Sequence, residues 1–183
     1  MSQDHEPDAS SAHQGSLPVT SDALLEQMRD AGIAFAYYEH IPLRTVEDAK
    51  TVQGAVVPDG PGALNIKNFY LRDRKKRNYL VVLEQDRAVD LKALGQAMDA
   101  PGVSFGSAGR LMEFLGVRPG AVSPLAMING ARNGVRLIMD TALRDAETVH
   151  VHPLVNDRTV GLAPEALCQL VEGWGAEVGW LDP

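Results

Sequence analysis

Lys67 is the residue whose position in this sequence most needs a chemical explanation. It lies in the run 62–71, where β-branched, aromatic and leucine residues without proline predict a β-strand. A lysine beside a buried strand is costly unless its amine reaches an anion or a water-filled cleft. The alternative is a lysine at a sheet edge, whose stem packs while its amine reaches water. The first interpretation makes Lys67 a candidate for binding an anionic ligand.

Two histidines lie in another predicted strand, 148–152. Because side chains alternate along a strand, His150 and His152 share one of its faces. Such a pair can bind a metal ion, but a third ligand is needed, and His40 is a candidate that no spacing rule favours. The alternatives are exposed or hydrogen-bonded strand histidines, and a catalytic or binding role for His152, which Pro153 holds extended.

The segment 116–124 is a loop with two glycines and two prolines. This composition predicts a stiff loop that holds its backbone N–H groups in a fixed arrangement. The sequence contains no G-x-S-x-G, Walker A, H-E-x-x-H or dinucleotide-binding glycine motif. Cys168 is the only cysteine and lies on the apolar side of a predicted helix, so it is interpreted as a core residue.

Charge is distributed unevenly along the chain. The formal net charge of −7 over 183 residues argues against a general, charge-driven nucleic-acid binder. Five of the six residues in the run 72–77 are nevertheless basic. This run is either a solvated hairpin tip or a local projection that binds one phosphate-rich partner in a defined orientation.

Composition predicts an ordinary globular protein, with 45% hydrophobic and 22% charged residues. No run approaches the ~20 apolar residues of a membrane span, and the N-terminus lacks the pattern of a secretion signal. A single cysteine excludes an intrachain disulfide, so we expect a cytoplasmic protein with no membrane partner. The length predicts one domain, residues 20–183, preceded by a polar tail of residues 1–19 that we expect to be disordered.

The predicted elements interleave strands with short helices. The predicted strand 78–83 is apolar on both faces over residues 79–83, so it should lie in a sheet covered on both sides and form a hairpin with the Lys67 strand. Thr45 and Asp48 have the spacing of a capping box and should begin a helix. Further helices are expected to begin near residues 21, 90, 107 and 164, and strands near 33, 103, 135, 148, 160 and 177. The pattern predicts an α+β (mixed α/β) fold.

Three segments of the sequence match a known family in the same order: ALNIKNFYLRD at 63–73, GAVSPL at 120–125 and HPLVNDRT at 152–159. From about residue 22 to 181 the sequence resembles the YbaK/prolyl-tRNA editing superfamily, and most closely its free-standing ProX-type members. His152 matches a histidine of the prolyl-tRNA editing branch, which favours the alanine-specific members over the cysteine-clearing ones. Ile41 stands where many relatives have proline.

The resemblance implies a YbaK-like, partly barrel-like mixed sheet surrounded by helices. It also implies a hydrolase that deacylates mischarged tRNA in trans, without metal or cofactor. The expected partner is the acceptor end of tRNA(Pro) charged with a small amino acid, most of all alanine, and prolyl-tRNA synthetase is a further candidate partner. We expect a monomer, because no long exposed apolar helix is left over.

The resemblance further implies roles for individual residues. Catalytic roles fall on the strand lysine, the strand histidine and the glycine-proline loop: Lys67, His152, Gly120 and Ser123. Substrate-binding roles fall on Thr45, Asn68, Val122, Pro124 and Asn156. tRNA-binding roles fall on Arg72, Arg74, Lys75, Lys76 and Arg77. Lys67 would meet phosphate or ribose, the loop N–H groups would stabilise charge on the ester carbonyl, and His152 would orient the amino group, the carbonyl or the water.

Other functions stay open at this point. The basic run on an acidic chain is compatible with a non-catalytic module that binds a tRNA end or a nucleotide. The pair of His150 and His152 is compatible with a metal-dependent hydrolase. A deacylase for Cys-tRNA(Pro) or another aminoacyl-tRNA is the remaining alternative.

Overall fold

The hairpin predicted around residues 72–77 lies at the centre of a mixed sheet in the computed structural model, which describes residues 6–182. The strands of this part of the chain are β1 (Ala36–Glu39), β2 (Ala63–Arg72), β3 (Asn78–Glu84), β4 (Ser104–Phe105), β5 (Arg136–Asp140), β6 (Thr148–Val151), β7 (Arg158–Leu162) and β8 (Val178–Leu181). Their order is β1-β7-β6-β2-β3-β5-β8, with β4 paired to β2. Parallel pairs join β2 to β6, β3 to β5 and β5 to β8.

Short helices surround this sheet. The α-helices of residues 6–182 are α1 (Ser21–Asp30), α2 (Val46–Val52), α3 (Leu91–Ala97), α4 (Ala108–Leu115), α5 (Met127–Gly130) and α6 (Pro164–Gly173). 3-10 helices span Ser11–Ser16, Pro124–Ala126, Ala131–Asn133 and Thr141–Asp145. The predicted mixed α/β single domain is confirmed. Within the described range, no helix has the length and apolarity to cross a bilayer.

Helices α1 and α4 begin at the positions that the sequence analysis predicted from their capping residues. Thr20 and Ser107 each accept a hydrogen bond from an N–H group of the first turn, in α1 and α4 respectively. The first strand, however, begins at Ala36 and not at Ile33. The Ile33 N–H donates to the Met28 carbonyl at 3.0 Å, so this residue still belongs to the end of α1.

β3 is buried on both faces, as its sequence predicted. Leu80 and Val82 point into the main core. Tyr79, Val81 and Leu83 point into a second core on the opposite face, which α3 covers. This alternation follows from the two-residue period of a strand. β3 therefore fixes the position of β2, its antiparallel partner from Ile66 to Arg72.

β2 has a gap along its other edge. Residues 63–65 pair there with β6, and residues 71–72 pair with β4. Between these two pairings, the described chain places no strand beside residues 66–70. β6 ends at Val151, so His152 leaves the sheet beside this gap. An interrupted strand edge of this kind provides a place where a cleft can form.

The expectation of disorder over residues 1–19 is wrong for residues 6–19, while residues 1–5 lie outside the described range. Ala9 and Leu17 are buried in the main core. Ser11 donates two hydrogen bonds to the Asp157 carboxylate, from N at 2.8 Å and from Oγ at 2.6 Å. These contacts fix a polar segment that lacks the apolar pattern of a core element.

Candidate active site

A cleft of about 340 Å³ opens at the gap in β2. Five separate segments supply its walls: the start of α2, the edge of β2, the loop after β3, the loop after α4 and the end of β6. Its lining residues are Leu43, Arg44, Thr45, Val46, Ala49, Ile66, Lys67, Asn68, Gln85, Gly120, Val122 and His152. Six residues predicted from the sequence are therefore brought together here: Lys67, His152, Gly120, Thr45, Asn68 and Val122.

Lys67 lies half-buried in the wall of this cleft. Its amine donates a hydrogen bond to the backbone carbonyl of Arg87, in the loop that follows β3. An ammonium group has three donors, so two remain for a ligand. The amine is thus fixed beside the glycine loop and His152, and does not extend freely into solvent.

The loop that accepts from Lys67 is itself anchored by Asp140, a contact that the sequence analysis missed. The Arg87 guanidinium donates to both carboxylate oxygens of Asp140, at 2.6 and 2.9 Å. Burial raises the pKa of Asp140, but the hydrogen bonds from Arg87 and from two backbone N–H groups outweigh it and hold that pKa below its usual value. The sequence signal was an acidic residue at the end of a buried apolar strand, where an ionised carboxylate needs a partner.

His152 is oriented by a single hydrogen bond. Its Nδ1 lies 2.8 Å from the carbonyl of Arg158. Since a carbonyl can only accept, Nδ1 carries the proton, and Nε2 of the neutral ring has a free lone pair. Burial lowers the pKa of His152, and this outweighs the opposing effect of the hydrogen bond to Arg158. The ring is therefore a neutral proton acceptor on the cleft wall.

His40 and His150 are held by structural contacts. His40 lies with Nδ1 2.8 Å from the Ile41 carbonyl and Nε2 2.7 Å from the Thr159 hydroxyl. His150 is buried, and its Nδ1 is 3.3 Å from Oδ1 of Asn65. Within residues 6–182, no three His, Cys, Asp or Glu side chains form a cluster that could hold a metal ion. Among the described residues, His150 and His152 therefore have no third side chain with which they could bind a metal ion.

Gly120 and Val122 of the glycine loop carry backbone N–H groups that make no hydrogen bond within the described chain. Gly120 has a φ of 93°, in the left-handed region that favours glycine. The Ala121 N–H donates to the Arg118 carbonyl at 3.1 Å. Among the described residues, the N–H groups of Gly120 and Val122 donate to no protein acceptor. Both residues line the cleft, so their unpaired N–H groups are candidate donors for an oxyanion hole.

A family model for the aminoacyl-tRNA editing domain matches residues 40–170. This range includes every residue of the cleft. The chain belongs to the aminoacyl-tRNA editing domain family. It is an aminoacyl-tRNA deacylase, and the cleft is the candidate site of ester hydrolysis in this editing domain.

Curated relatives and solved structures agree with this assignment. The chain is 33% identical over 154 residues to the prolyl-tRNA editing protein ProX of Acetoanaerobium sticklandii, covering 84% of this chain and 91% of the relative. It is 33% identical over 108 residues to prolyl-tRNA synthetase associated domain-containing protein 1 of Danio rerio, covering 58% of this chain and 59% of the relative. A crystal structure described as a candidate trans-editing enzyme for prolyl-tRNA synthetase superposes with a TM-score of 0.63, at 19% identity, covering 89% and 97% of the two chains. At that identity the superposition shows the fold alone.

Three predicted site residues of the editing domain do not line the cleft. Ser123 is 0% exposed, and its hydroxyl accepts from the Leu125 N–H at 3.2 Å, at the start of the 3-10 helix where Pro124 is the first residue. Asn156 is buried and donates from Nδ2 to the Leu43 carbonyl at 3.0 Å. The structure thus places Ser123 and Pro124 in the support of the loop. Asn156 supports the segment before α2.

Thr45 and Asn68 reach the cleft in different ways. The Thr45 hydroxyl accepts from the Asp48 N–H at 3.1 Å and forms the predicted capping box of α2. Hydrogen bonds from the backbone N–H groups of Arg44 and Thr45 lower the pKa of Asp48. Oδ1 of Asn68 is buried and accepts no hydrogen bond within the described chain. Asn68 is therefore the residue of this pair with a free binding atom.

The basic run divides into exposed and structural residues. Arg74, Lys75 and Lys76 are exposed at the tip of the hairpin. Arg77 instead forms an ion pair with Asp73, with Nε 2.7 Å from Oδ2. The Arg72 guanidinium lies 5.9 Å from the centre of the Phe114 ring. Of the five residues predicted to bind tRNA, the three at the tip are the most accessible to a partner.

Proposed function

We propose that this editing domain deacylates tRNA(Pro) charged with alanine, acting in trans. The similarity to a prolyl-tRNA editing protein over 91% of that relative supports the choice of tRNA. One observation carries the chemistry. The Lys67 amine, the neutral His152 ring and the two unused N–H groups of Gly120 and Val122 belong to residues that line a single cleft.

The proposed reaction needs no protein nucleophile, because an aminoacyl ester is already activated. Water attacks the carbonyl carbon, and the N–H groups of Gly120 and Val122 stabilise the charge on the carbonyl oxygen. Nε2 of His152 takes the proton of the water and returns it to the ribose oxygen as the ester bond breaks. The products are the free amino acid and a tRNA with an intact terminal hydroxyl. The Lys67 amine holds phosphate or ribose oxygens of the terminal nucleotide.

A small side cavity supports alanine as the amino acid removed. The cavity has a volume of about 60 Å³ and shares Asn68 and His152 with the cleft. Its walls include the apolar side chains of Leu43, Val52 and Val57. The α-amino group of the substrate is assigned to the free Oδ1 of Asn68, and the methyl group to the cavity. The proposal requires this cavity to accept a methyl group and reject a proline ring, a second selection that corrects a synthetase that rejects alanine by only about 1–3 kcal/mol.

The test is deacylation of a panel of charged tRNAs: Ala-tRNA(Pro), Pro-tRNA(Pro) and Cys-tRNA(Pro). We expect rapid loss of alanine and stable proline and cysteine esters. Lys67→Met keeps the apolar stem and removes the amine, so its rate should fall about 100-fold. Lys92→Met, at an exposed position of α3, is the matched control and should keep the wild-type rate. Binding of Ala-tRNA(Pro) without ester loss would refute the proposal in favour of a binding module.

A further inference from the structure

Phe105 is an aromatic side chain exposed where a core residue would be expected. It is 59% exposed, although it belongs to the two-residue strand β4. Among the exposed large hydrophobic residues of the described chain it is the one aromatic. Phe69 lies behind it, with 5.7 Å between the ring centres and 56° between the ring planes. One face of this ring pair is supported by the fold, and the other is open.

The backbone holds Phe105 in this position. It is paired with Leu71 of β2, and the next residue, Gly106, donates from N to the Tyr70 carbonyl at 3.0 Å. A Cβ at Gly106 would lie 2.2 Å from the Tyr70 ring, so only glycine permits this close approach. The exposed ring is thus attached to the central hairpin and not to a mobile loop.

The ring pair lies on the same face of β2 as Lys67. Lys67, Phe69 and Leu71 alternate onto one face, and Phe105 is opposite Leu71 on that face. Phe69 is two residues from Lys67, about 7 Å along the strand, and Phe105 is opposite Leu71, four residues or about 13 Å from Lys67. The exposed cations at the tip of the hairpin follow the end of β2 at Arg72, which is about 17 Å from Lys67 along the strand. The rings therefore lie between the site of chemistry and the predicted contact with the tRNA stem.

We propose that Phe105, supported by Phe69, is a stacking platform for an unpaired base of the tRNA 3′ end, next to the terminal adenosine. This inference rests on the proposed function, which places the aminoacylated adenosine in the cleft. Single-stranded nucleotides stack on aromatic side chains while cations hold their phosphates. Here Lys67 lies on one side of the rings, and Arg74 and Lys75 lie on the other. A protein partner fits less well, because one exposed ring beside several cations provides little apolar area.

The test uses an uncharged RNA hairpin that carries the tRNA(Pro) acceptor stem and its single-stranded end. 2-Aminopurine replaces each of the two bases before the terminal adenosine in turn. Stacking on Phe105 should quench the fluorescence of one of these probes in the wild-type complex. Phe105→Ala and Phe105→Leu should abolish the quenching, and Phe105→Trp should retain it. Val89→Ala, at an exposed apolar position outside the ring pair, is the matched control and should leave it unchanged.

Kinetics on charged tRNA provide the second measurement. Phe105→Ala should raise KM about tenfold and leave kcat unchanged, because the ring binds the tRNA and does not touch the ester. Quenching and KM that are unchanged in Phe105→Ala and Phe105→Leu would overturn the platform. A wild-type dimer that Phe105→Ala dissociates would overturn it too, by assigning the ring to a protein interface. If the variants lose quenching but the wild type hydrolyses no ester, the proposed function fails and the platform stands.

Discussion

Lys67 depends on a chain of two further residues for its position. Its amine donates to the carbonyl of Arg87, and the Arg87 side chain is held by the buried carboxylate of Asp140. Fixing a flexible lysine side chain costs conformational entropy. Because the hydrogen bond to Arg87 already fixes Lys67, this cost arises during folding and not during substrate binding. The same carboxylate accepts from the Glu84 N–H at 3.0 Å, so the loop is attached to the end of β3.

His152 supplies the first prediction at this scale, a pH dependence. Burial holds its pKa below the ordinary value of about 6.5. The unfolded chain therefore binds this proton at a higher pH than the folded one, and stability falls as the pH drops below about 6.5. In the proposed mechanism the neutral ring is the proton acceptor, so kcat/KM should stay level down to pH 6.5 and decline only below it. The measurement is a pH profile of Ala-tRNA(Pro) deacylation.

His152→Asn is the matched variant for this profile. Its amide can replace Nδ1 as donor to the Arg158 carbonyl, but it has no group in place of Nε2. We expect kcat/KM to fall about 100-fold and the acidic decline to disappear, with little change in melting temperature. A variant that keeps the same decline would assign the proton acceptor to another group.

At the scale of elements, the N-terminal segment connects two parts of the fold that the sequence separates widely. Ser11 binds Asp157, and the Ala9 carbonyl accepts from the Asn156 N–H at 2.9 Å. Arg118, in the glycine loop, donates to the His13 carbonyl and to the Ser16 hydroxyl. The segment thus contacts both loops that flank the cleft, although it precedes the range matched by the family model.

The second prediction concerns this segment. Asp157→Ala removes both hydrogen bonds with Ser11 and should lower the free energy of unfolding by about 1–2 kcal/mol. Gln14→Ala is the control, because in the described chain the Gln14 side chain bonds only to exposed Asp22, and its loss should change stability by less than about 0.5 kcal/mol. Urea unfolding measures both. Equal midpoints for Asp157→Ala and the wild type would show that the segment contributes nothing to stability.

Local patterns predicted the elements, and long-range contacts determined the rest. The hairpin of β2 and β3 was predictable because its apolar period and its polar turn are adjacent in sequence. The order of Ser11–Ser16 was not, since its anchor at Asp157 lies 146 residues away. Likewise, no local sequence pattern predicted that β6 pairs in parallel with β2 and ends beside Lys67.

The same limit applies to the candidate site. Lys67 was conspicuous because a charge in an apolar strand violates a local rule. Ser123 belongs to the same motif as Gly120 but faces the interior, and motif matching cannot separate a cleft residue from its support. Asp140 was missed because an acidic residue at the end of a buried strand indicates that a partner is needed but not that the partner is Arg87, 53 residues away.

At the scale of the whole molecule, the charge distribution favours one orientation of a nucleic acid. The chain carries a net charge of −7, which repels a polyanion from most of its surface. The exposed hairpin tip, with Arg74, Lys75 and Lys76, is a local exception. Because this tip follows the end of β2, about 17 Å along the strand from Lys67, a tRNA whose 3′ end occupies the cleft can place its paired acceptor stem against the tip.

The third prediction tests this orientation through its salt dependence. Each cation that contacts a phosphate displaces a condensed counterion. A plot of the logarithm of the tRNA association constant against the logarithm of the salt concentration should therefore be less steep for Lys75→Ala, by about 0.7–0.9 in slope. Arg74→Ala should act similarly. Neither should change kcat at saturating tRNA, because the tip is distant from the ester. Arg29→Ala, which removes a cation in the last turn of α1, is the control and should leave the slope unchanged. If the slope is the same in the hairpin variants and the wild type, the acceptor stem binds elsewhere and the orientation is wrong.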